Sequence, residues 1–170
     1  DSDMADAKFA KALMFDSSDI YWQARAEAGM SKVSKLVNTA PAVRTASSTE
    51  ALANQITDTI IKSLSYSRKA VSADPYNYYN HISEARVLEV ATSLKMKDAY
   101  ANALVAYNNA VAANPTNPAI YLSLAQFLSS QNKLDEALQA AGKALSIKNN
   151  YLDAVFLVSQ IQSAKGNINE

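Results

Sequence analysis

The chain has 170 residues, with 31 alanines but only 3 glycines and 4 prolines, and its 16 basic residues balance its 16 acidic ones. Zero net charge argues against a nucleic-acid partner, because phosphate binding needs an excess of Lys and Arg. With no Cys and one His, the chain lacks thiol chemistry and histidine clusters. We therefore expect no catalytic, metal or cofactor-binding residues and no enzyme activity. Alanine is the best helix former and Gly and Pro are the worst, so the composition predicts an all-helical protein.

Neither the N-terminus nor the interior predicts a membrane segment. Residues 1–16 begin acidic and lack the apolar run of a signal peptide. Residues 99–132 carry no charge, but their Asn and Pro residues prevent a single spanning helix. We expect a soluble segment that does not insert directly into a membrane. Because the sequence has no initiator Met, we also expect it to be a segment of a longer protein. Whether it lies in the cytoplasm or on the cell-envelope face of a membrane protein stays open.

Turn signals divide the chain into helices. Pro75 and Pro115 end helices, because Pro cannot continue one, and Asn117 before Pro118 is typical of an N-cap and first helical position. Ser47 and Glu50 have capping-box spacing. Residues 38–49 are polar, and we expect a mobile loop that a protease cuts first near Arg44. The pattern predicts eight helices, over 3–15, 19–38, 49–73, 77–94, 98–113, 118–131, 134–147 and 151–165.

Pairs of small residues recur seven positions apart, which is two helical turns. The pairs are Ala5 and Ala12, Ser63 and Ala70, Ala103 and Ala110, and Ala137 and Ala144. Each pair lies on one helix face and lets a neighbouring helix approach closely. The spacing between successive pairs is 58, 40 and then 34 residues, so the repeat becomes more regular along the chain.

The 34-residue unit 118–151 resembles a tetratricopeptide repeat (TPR). In its first helix, Tyr121, Leu124 and Ala125 occupy the family's bulky, Leu and small positions. In its second helix, Ala137 and Ala144 occupy the small positions, but Ala141 stands where the family has an aromatic residue. Asn149 stands where the family has the Pro of the turn. The preceding unit matches in its second helix and turn, with Ala103, Tyr107, Ala110 and Pro115, and the N-terminal helix matches with Ala5, Phe9 and Ala12.

The resemblance implies an all-α, TPR-like superhelix of antiparallel helical hairpins, an α-solenoid. We expect a single array over 1–170, formed by a half repeat (1–17), an irregular long repeat (18–75), two repeats (76–115 and 116–149) and a partial repeat (150–170). The expected core residues are Ala5, Phe9, Ala12, Ala70, Ala85, Leu88, Ala103, Tyr107, Ala110, Leu124, Ala125, Ala137 and Ala144.

The resemblance also implies a function: a non-catalytic scaffold that binds a protein or peptide in its concave groove. By register, the groove residues are Tyr79, Ile82, Arg86 and Glu89, then Leu122, Gln126 and Ser129, and then Phe156, Gln160 and Ser163. Tyr79, Leu122 and Phe156 would be the apolar anchors. This set has a single Arg, whereas chaperone-binding TPRs use a clamp of Lys, Arg and Asn against a terminal carboxylate, so we expect no such recognition.

Two alternatives stay open. Residues 67–77, 110–118 and 148–154 resemble the TPR tails of bacterial O-antigen ligase- or polymerase-like membrane proteins. That resemblance implies a soluble tail that positions a catalytic membrane domain. The aromatic cluster of Tyr76, Tyr78 and Tyr79 fits either a wall for a ligand or packing at a repeat junction. We interpret it as packing, except at Tyr79, and we expect His81 to be a packed or rim residue.

Overall fold

The computed structural model describes residues 18–38 and 46–166, and within these ranges it consists of seven helices without a strand. The helices are α1 (Asp19–Asn38), α2 (Ala46–Ala73), α3 (Tyr78–Ser93), α4 (Ala99–Ala113), α5 (Pro118–Ser130), α6 (Leu134–Ile147) and α7 (Leu152–Ala164). The chain divides into two compact units, residues 1–106 and residues 107–170. The predicted all-α, TPR-like fold of helical hairpins is confirmed. The predicted helix at 3–15, its residues Ala5, Phe9 and Ala12, and Arg44 lie outside the described residues.

The start of α5 follows the predicted N-cap signal at Asn117, whereas the start of α2 does not follow the capping-box signal at Ser47; the Asn77 cap of α3 was not predicted. The Asn77 and Asn117 side chains cap α3 and α5, each accepting a hydrogen bond of 3.0 Å from the backbone NH two residues on. Pro118 is the first residue of α5, as predicted. The predicted start of α2 at residue 49 is wrong, because the helix already begins at Ala46. Ser47 and Glu50 therefore lie inside the helix and do not form its N-cap.

In the first unit, α1 and α2 form a hairpin and α3 packs against both helices. Their contact contains an apolar cluster of Val33, Ile60, Val87, Ala91 and Ala99, surrounded by Met30, Ile56, Leu64, Val90 and Met96. Methionine and β-branched side chains fill the irregular space that this long hairpin leaves. The burial of such apolar surface is the main stabilising contribution to the fold.

In the second unit, α5 packs chiefly against α6, and α7 packs against both. The α5 helix supplies bulky buried side chains, Ile120, Leu122, Phe127 and Leu128, and α6 supplies buried alanines, Ala137, Ala140, Ala141 and Ala144. The Phe127 ring stacks on that of Tyr107, with 5.7 Å between the ring centroids. Large residues on one helix thus fit against small residues on the next, which is how interiors reach close packing.

The predicted small-residue faces are confirmed where the structure describes them. Ser63, Ala70, Ala103, Ala110, Ala137 and Ala144 are all at most 1% exposed. Other predicted core residues are also buried: Ala85, Leu88, Tyr107 and Ala125. Leu124 was predicted to be a core residue, but it is only partly buried. It lies on α5 beside the buried Ala125 but turns toward the edge of the packed face.

The substitution Ala137→Leu tests this register. Ala137 has no exposed surface on the face of α6, so three added heavy atoms must displace α5 or α7. We expect a loss of about 1–3 kcal/mol in the free energy of unfolding, as for other overpacked cores. Chemical denaturation followed by circular dichroism measures it. Ala101→Leu, at an exposed position of α4, is the control and should change stability by less than about 0.5 kcal/mol. Equal stability of both variants would contradict the register.

Candidate functional site

The first helices of two repeats make the same contact with the turn before them. The His81 Nε2–H donates to the carbonyl oxygen of Pro75 at 2.9 Å, and the Tyr121 hydroxyl donates to that of Pro115 at 3.1 Å. His81 and Tyr121 are 40 residues apart in the chain, and so are Pro75 and Pro115. His81 is 6% exposed, so its predicted role as a packed residue is confirmed. In both helices, the side chain at the bulky position therefore binds the preceding turn through a hydrogen bond.

A buried polar network joins α1 to the turn before α3. The Asn80 side-chain amide donates to Asp19 Oδ2 at 3.1 Å and to the Asp74 carbonyl oxygen at 2.8 Å, while its oxygen accepts from Gln23 Nε2. Asn77 Nδ2 also donates to Asp19 Oδ2, at 2.7 Å. Asn80 has no exposed surface. The network thus fixes the start of α1 against the turn, which sets where α1 lies beside α3.

Asp19 is the acidic member of this network. Its burial tends to raise its pKa, but the hydrogen bonds from the Asn77 and Asn80 amides outweigh that effect and hold the pKa below the ordinary value of 3.8. A carboxyl whose pKa is lowered on folding stabilises the protein above its ordinary pKa. That contribution is lost as the pH falls through the lowered pKa.

The predicted binding residues of the first unit surround Tyr79 on α3. The Tyr79 side chain is 37% exposed, and its hydroxyl donates to Glu27 Oε1 of α1 at 3.3 Å. The Arg86 guanidinium carbon lies 5.9 Å from the centroid of the Tyr79 ring, and Arg86 is about two turns further along α3. Arg86 is exposed and Glu89 is partly buried. An aromatic ring, a guanidinium and a carboxylate are therefore together on one surface.

Two predicted groove residues are instead part of the interior. Ile82 is 4% exposed and Leu122 is 6% exposed. They occupy the same position in successive repeats, and their aliphatic side chains pack inside the units. The expectation that Leu122 is an accessible anchor is therefore wrong for this chain. In the second unit, Phe156 is 65% exposed, Gln126, Gln160 and Ser163 are exposed, and Ser129 is partly buried.

Residues 96–141 match the family model of the tetratricopeptide repeat. This segment contains α4, α5 and the first half of α6, with the small-residue positions described above. This segment is similar to a tetratricopeptide repeat. The match includes residues 118–141 of the regular 34-residue unit, whereas the irregular α1–α2 hairpin lies outside it.

A solved structure supports a TPR-like fold for most of the chain. The first TPR domain of Spaghetti (RPAP3), bound to the HSP90 peptide SRMEEVD, superposes with a TM-score of 0.52 and 20% sequence identity. The similarity covers 85% of this chain and 95% of that one. At this identity the likeness shows the shared fold. No curated protein matches the sequence significantly.

An aromatic and cationic stack between α1 and α2 was not predicted from the sequence. The rings of Trp22 and Tyr66 stack with 5.9 Å between centroids. Lys69 Nζ lies 4.3 Å from the Trp22 ring centroid, and the Arg25 guanidinium carbon lies 4.2 Å from that of Tyr66. The sequence signal for this stack is an aromatic residue followed three positions later by a cation, which occurs on both helices as Trp22 with Arg25 and Tyr66 with Lys69. The stack stabilises the hairpin through cation–π contacts.

Within residues 18–38 and 46–166, no group of three or more His, Cys, Asp or Glu residues could hold a metal ion. None of the seven helices in these ranges is both long enough and apolar enough to cross a membrane.

Proposed function

We propose that this protein is a non-catalytic interaction module that binds a peptide or an adjoining domain at the groove-facing register of its first helices. The observation that carries the proposal is the exposed arrangement of Tyr79, Arg86 and Glu27. The Tyr79 ring offers a flat apolar surface with a polar tip, a combination enriched at protein interfaces. Its hydrogen bond to Glu27 holds the ring in place, so little side-chain entropy remains to be lost on binding.

Charge indicates which kind of peptide this surface would accept. Arg86 is the single cation among the predicted groove residues, and Glu27 and Glu89 lie on the neighbouring surface of α1 and α3. A strongly acidic peptide would meet as much repulsion as attraction there. A neutral peptide could lay an apolar side chain on Tyr79 and accept hydrogen bonds from the Arg86 guanidinium. In the second unit, Gln126, Phe156 and Gln160 are exposed at the groove register of their own helices and offer amide and aromatic groups.

The experiment is an affinity measurement with a partner first isolated by pull-down. We expect Tyr79→Ala and Arg86→Ala each to weaken binding about tenfold or more, as for central interface residues. Lys62→Ala, at an exposed position of α2, is the control and should bind as the unchanged protein does. The peptide SRMEEVD, which the similar TPR domain binds, should show no binding here. Loss of affinity in Lys62→Ala, with Tyr79→Ala and Arg86→Ala unaffected, would place the binding surface elsewhere.

The second proposal is that the segment is the tail of a membrane protein of the O-antigen ligase or polymerase type and positions a catalytic membrane domain. Its support is the sequence resemblance at residues 67–77, 110–118 and 148–154. Membrane fractionation of the native protein tests it. Recovery only in the soluble fraction would exclude this proposal and leave the first one standing.

A further inference from the structure

The turn before α3 exposes an aromatic ring that was predicted to pack at a repeat junction. Tyr76 is 87% exposed, so the packing interpretation is wrong for this residue. The backbone N–H of Tyr76 donates to Asp74 Oδ1 at 3.0 Å, and that of Asn77 donates to the same oxygen at 3.2 Å. The turn is therefore fixed by hydrogen bonds, while the Tyr76 ring lies in solvent.

Two more tyrosine rings follow at the start of α3. The Tyr78 and Tyr79 rings are nearly perpendicular, at 86°, with 6.4 Å between their centroids. The Arg86 guanidinium carbon lies 5.9 Å from the Tyr79 ring centroid, although the two residues are about 10 Å apart along the helix axis. We call Tyr76, Tyr78, Tyr79 and Arg86 the tyrosine cluster. It extends from the turn onto the first two turns of α3.

The tyrosine cluster offers hydrogen-bond donors. Within residues 18–38 and 46–166, the hydroxyls of Tyr76 and Tyr78 and the guanidinium of Arg86 make no hydrogen bond to another residue. The carboxylate that reaches Tyr79, that of Glu27, already accepts from the Tyr79 hydroxyl at 3.3 Å. An ordinary peptide residue brings one N–H donor with each carbonyl acceptor, and an N–H that faces other donors loses its hydrogen bond to water. Proline brings the carbonyl without the N–H.

The shape and exposure of the tyrosine cluster also favour proline. A polyproline II helix is formed before it binds, so it loses little conformational entropy on an open surface. The compact, uncharged proline ring can lie against two apolar walls, the perpendicular rings of Tyr78 and Tyr79. At 3.1 Å per residue, six prolines span about 19 Å, enough to reach from Tyr79 to Arg86 and to leave residues for Tyr76.

We propose that the tyrosine cluster binds a proline-rich segment of a partner protein in the polyproline II conformation. The proline rings lie on the tyrosine rings, and carbonyl oxygens of the segment accept hydrogen bonds from the Arg86 guanidinium and the tyrosine hydroxyls. This proposal rests on the proposed function, because Tyr79 and Arg86 belong to both. It adds Tyr76 and Tyr78 to the binding surface and names the chemical class of the peptide.

The probe is a fluorescently labelled decaproline peptide, and fluorescence anisotropy with the whole 170-residue protein gives its affinity. The matched control is an uncharged peptide of the same length and label, made of Ser-Leu-Gly repeats, which has apolar side chains but keeps its N–H donors. We expect decaproline to bind saturably and at least about tenfold more tightly than the control peptide. The preformed backbone and the missing N–H groups both favour decaproline.

Variants of the protein locate the binding. Tyr76→Ala should weaken decaproline binding about tenfold, and it should leave the fold intact because the ring is exposed. Tyr79→Ala and Arg86→Ala should weaken binding at least as much, as for central interface residues. Leu94→Ala is the control, because Leu94 is 48% exposed just beyond the other end of α3. It should leave the affinity for decaproline unchanged.

Several results would overturn the proposal. One is absence of decaproline binding, and another is binding that neither Tyr76→Ala nor Tyr79→Ala weakens. Equal affinity for the two peptides, weakened for both by Tyr79→Ala, would reject proline as the ligand class and leave the proposed function standing. Displacement of decaproline by maltohexaose would show that the cluster binds sugar rings instead. The proposed function fails separately, when the partner isolated by pull-down binds Tyr79→Ala and Arg86→Ala as tightly as the unchanged protein.

Discussion

Replacing Gly29 by alanine should destabilise the protein, although alanine is the better helix former. Gly29 lies within α1, and a Cβ atom there would come 1.9 Å from Ser63 Oγ and 3.2 Å from Ser63 Cβ on α2. Ser63 is 1% exposed, and its hydroxyl donates to the Thr59 carbonyl oxygen at 2.9 Å. Relief of the clash requires either a new Ser63 rotamer without that bond or a wider separation of α1 and α2.

The net change in the free energy of unfolding depends on a gain in helix propensity and a loss from overpacking. Helix propensity favours Gly29→Ala by up to about 1 kcal/mol. Overpacking a close helix contact costs about 1–3 kcal/mol, and loss of the Ser63 hydrogen bond adds about 1 kcal/mol. We therefore expect the free energy of unfolding to fall by about 1–3 kcal/mol. Thermal unfolding followed by circular dichroism should show a Tm lower by several degrees, at about 2–4 °C per kcal/mol for this size.

Gly142→Ala is the matched control. Gly142 is also within a helix, α6, but is exposed, and an added Cβ would have nothing within 4 Å. That variant should gain about 0.5–1 kcal/mol. The double variant Gly29→Ala/Ser63→Ala should recover part of the loss, because the oxygen that clashes is gone. Stabilisation by Gly29→Ala equal to that by Gly142→Ala would show that α1 and α2 are further apart than the structure places them.

The helices were predictable because their signals are local. Asn117 followed by Pro118 predicts both the cap and the start of α5, and small residues seven positions apart predict which face of α2, α4 and α6 is buried. These signals depend on the backbone chemistry of one turn or one face. The start of α2 was not predictable from Ser47 and Glu50, because the same spacing also fits inside the first turn of a longer helix.

The binding surface was less predictable, because burial depends on neighbours that are distant in sequence. Ile82 and Tyr79 both fit a groove stripe by spacing, yet the structure buries one and exposes the other. The polar network could not be predicted from the sequence either, because Asn80 binds partners in α1 that are 57 and 61 residues away. At the same position of the next repeat the sequence has Ile120, which is 1% exposed. Periodicity alone identifies such a position as interior, but not as polar or apolar.

The Asn80 network gives the last prediction. Asn80→Ala removes the acceptor of Gln23 Nε2 and one donor each from Asp19 and the Asp74 carbonyl oxygen. Gln23 is 9% exposed, so its amide is left without an acceptor in a place that water reaches poorly. Each buried polar group left unsatisfied costs about 1–3 kcal/mol. We expect a total loss of about 2–4 kcal/mol in chemical denaturation.

Two further variants separate the lost hydrogen bonds from lost volume. Asn80→Ile restores the volume and copies the residue of the next repeat, but the Gln23 amide still lacks its acceptor and the Asp74 carbonyl oxygen still lacks its donor from Asn80. We therefore expect it to be destabilised nearly as much as Asn80→Ala. Asn109→Ala makes the same chemical change at an exposed position of α4 and should stay within about 0.5 kcal/mol of the unchanged protein. If Asn80→Ile were as stable as the unchanged protein, the position would be an ordinary apolar core site. The start of α1 would then be held beside α3 by packing alone.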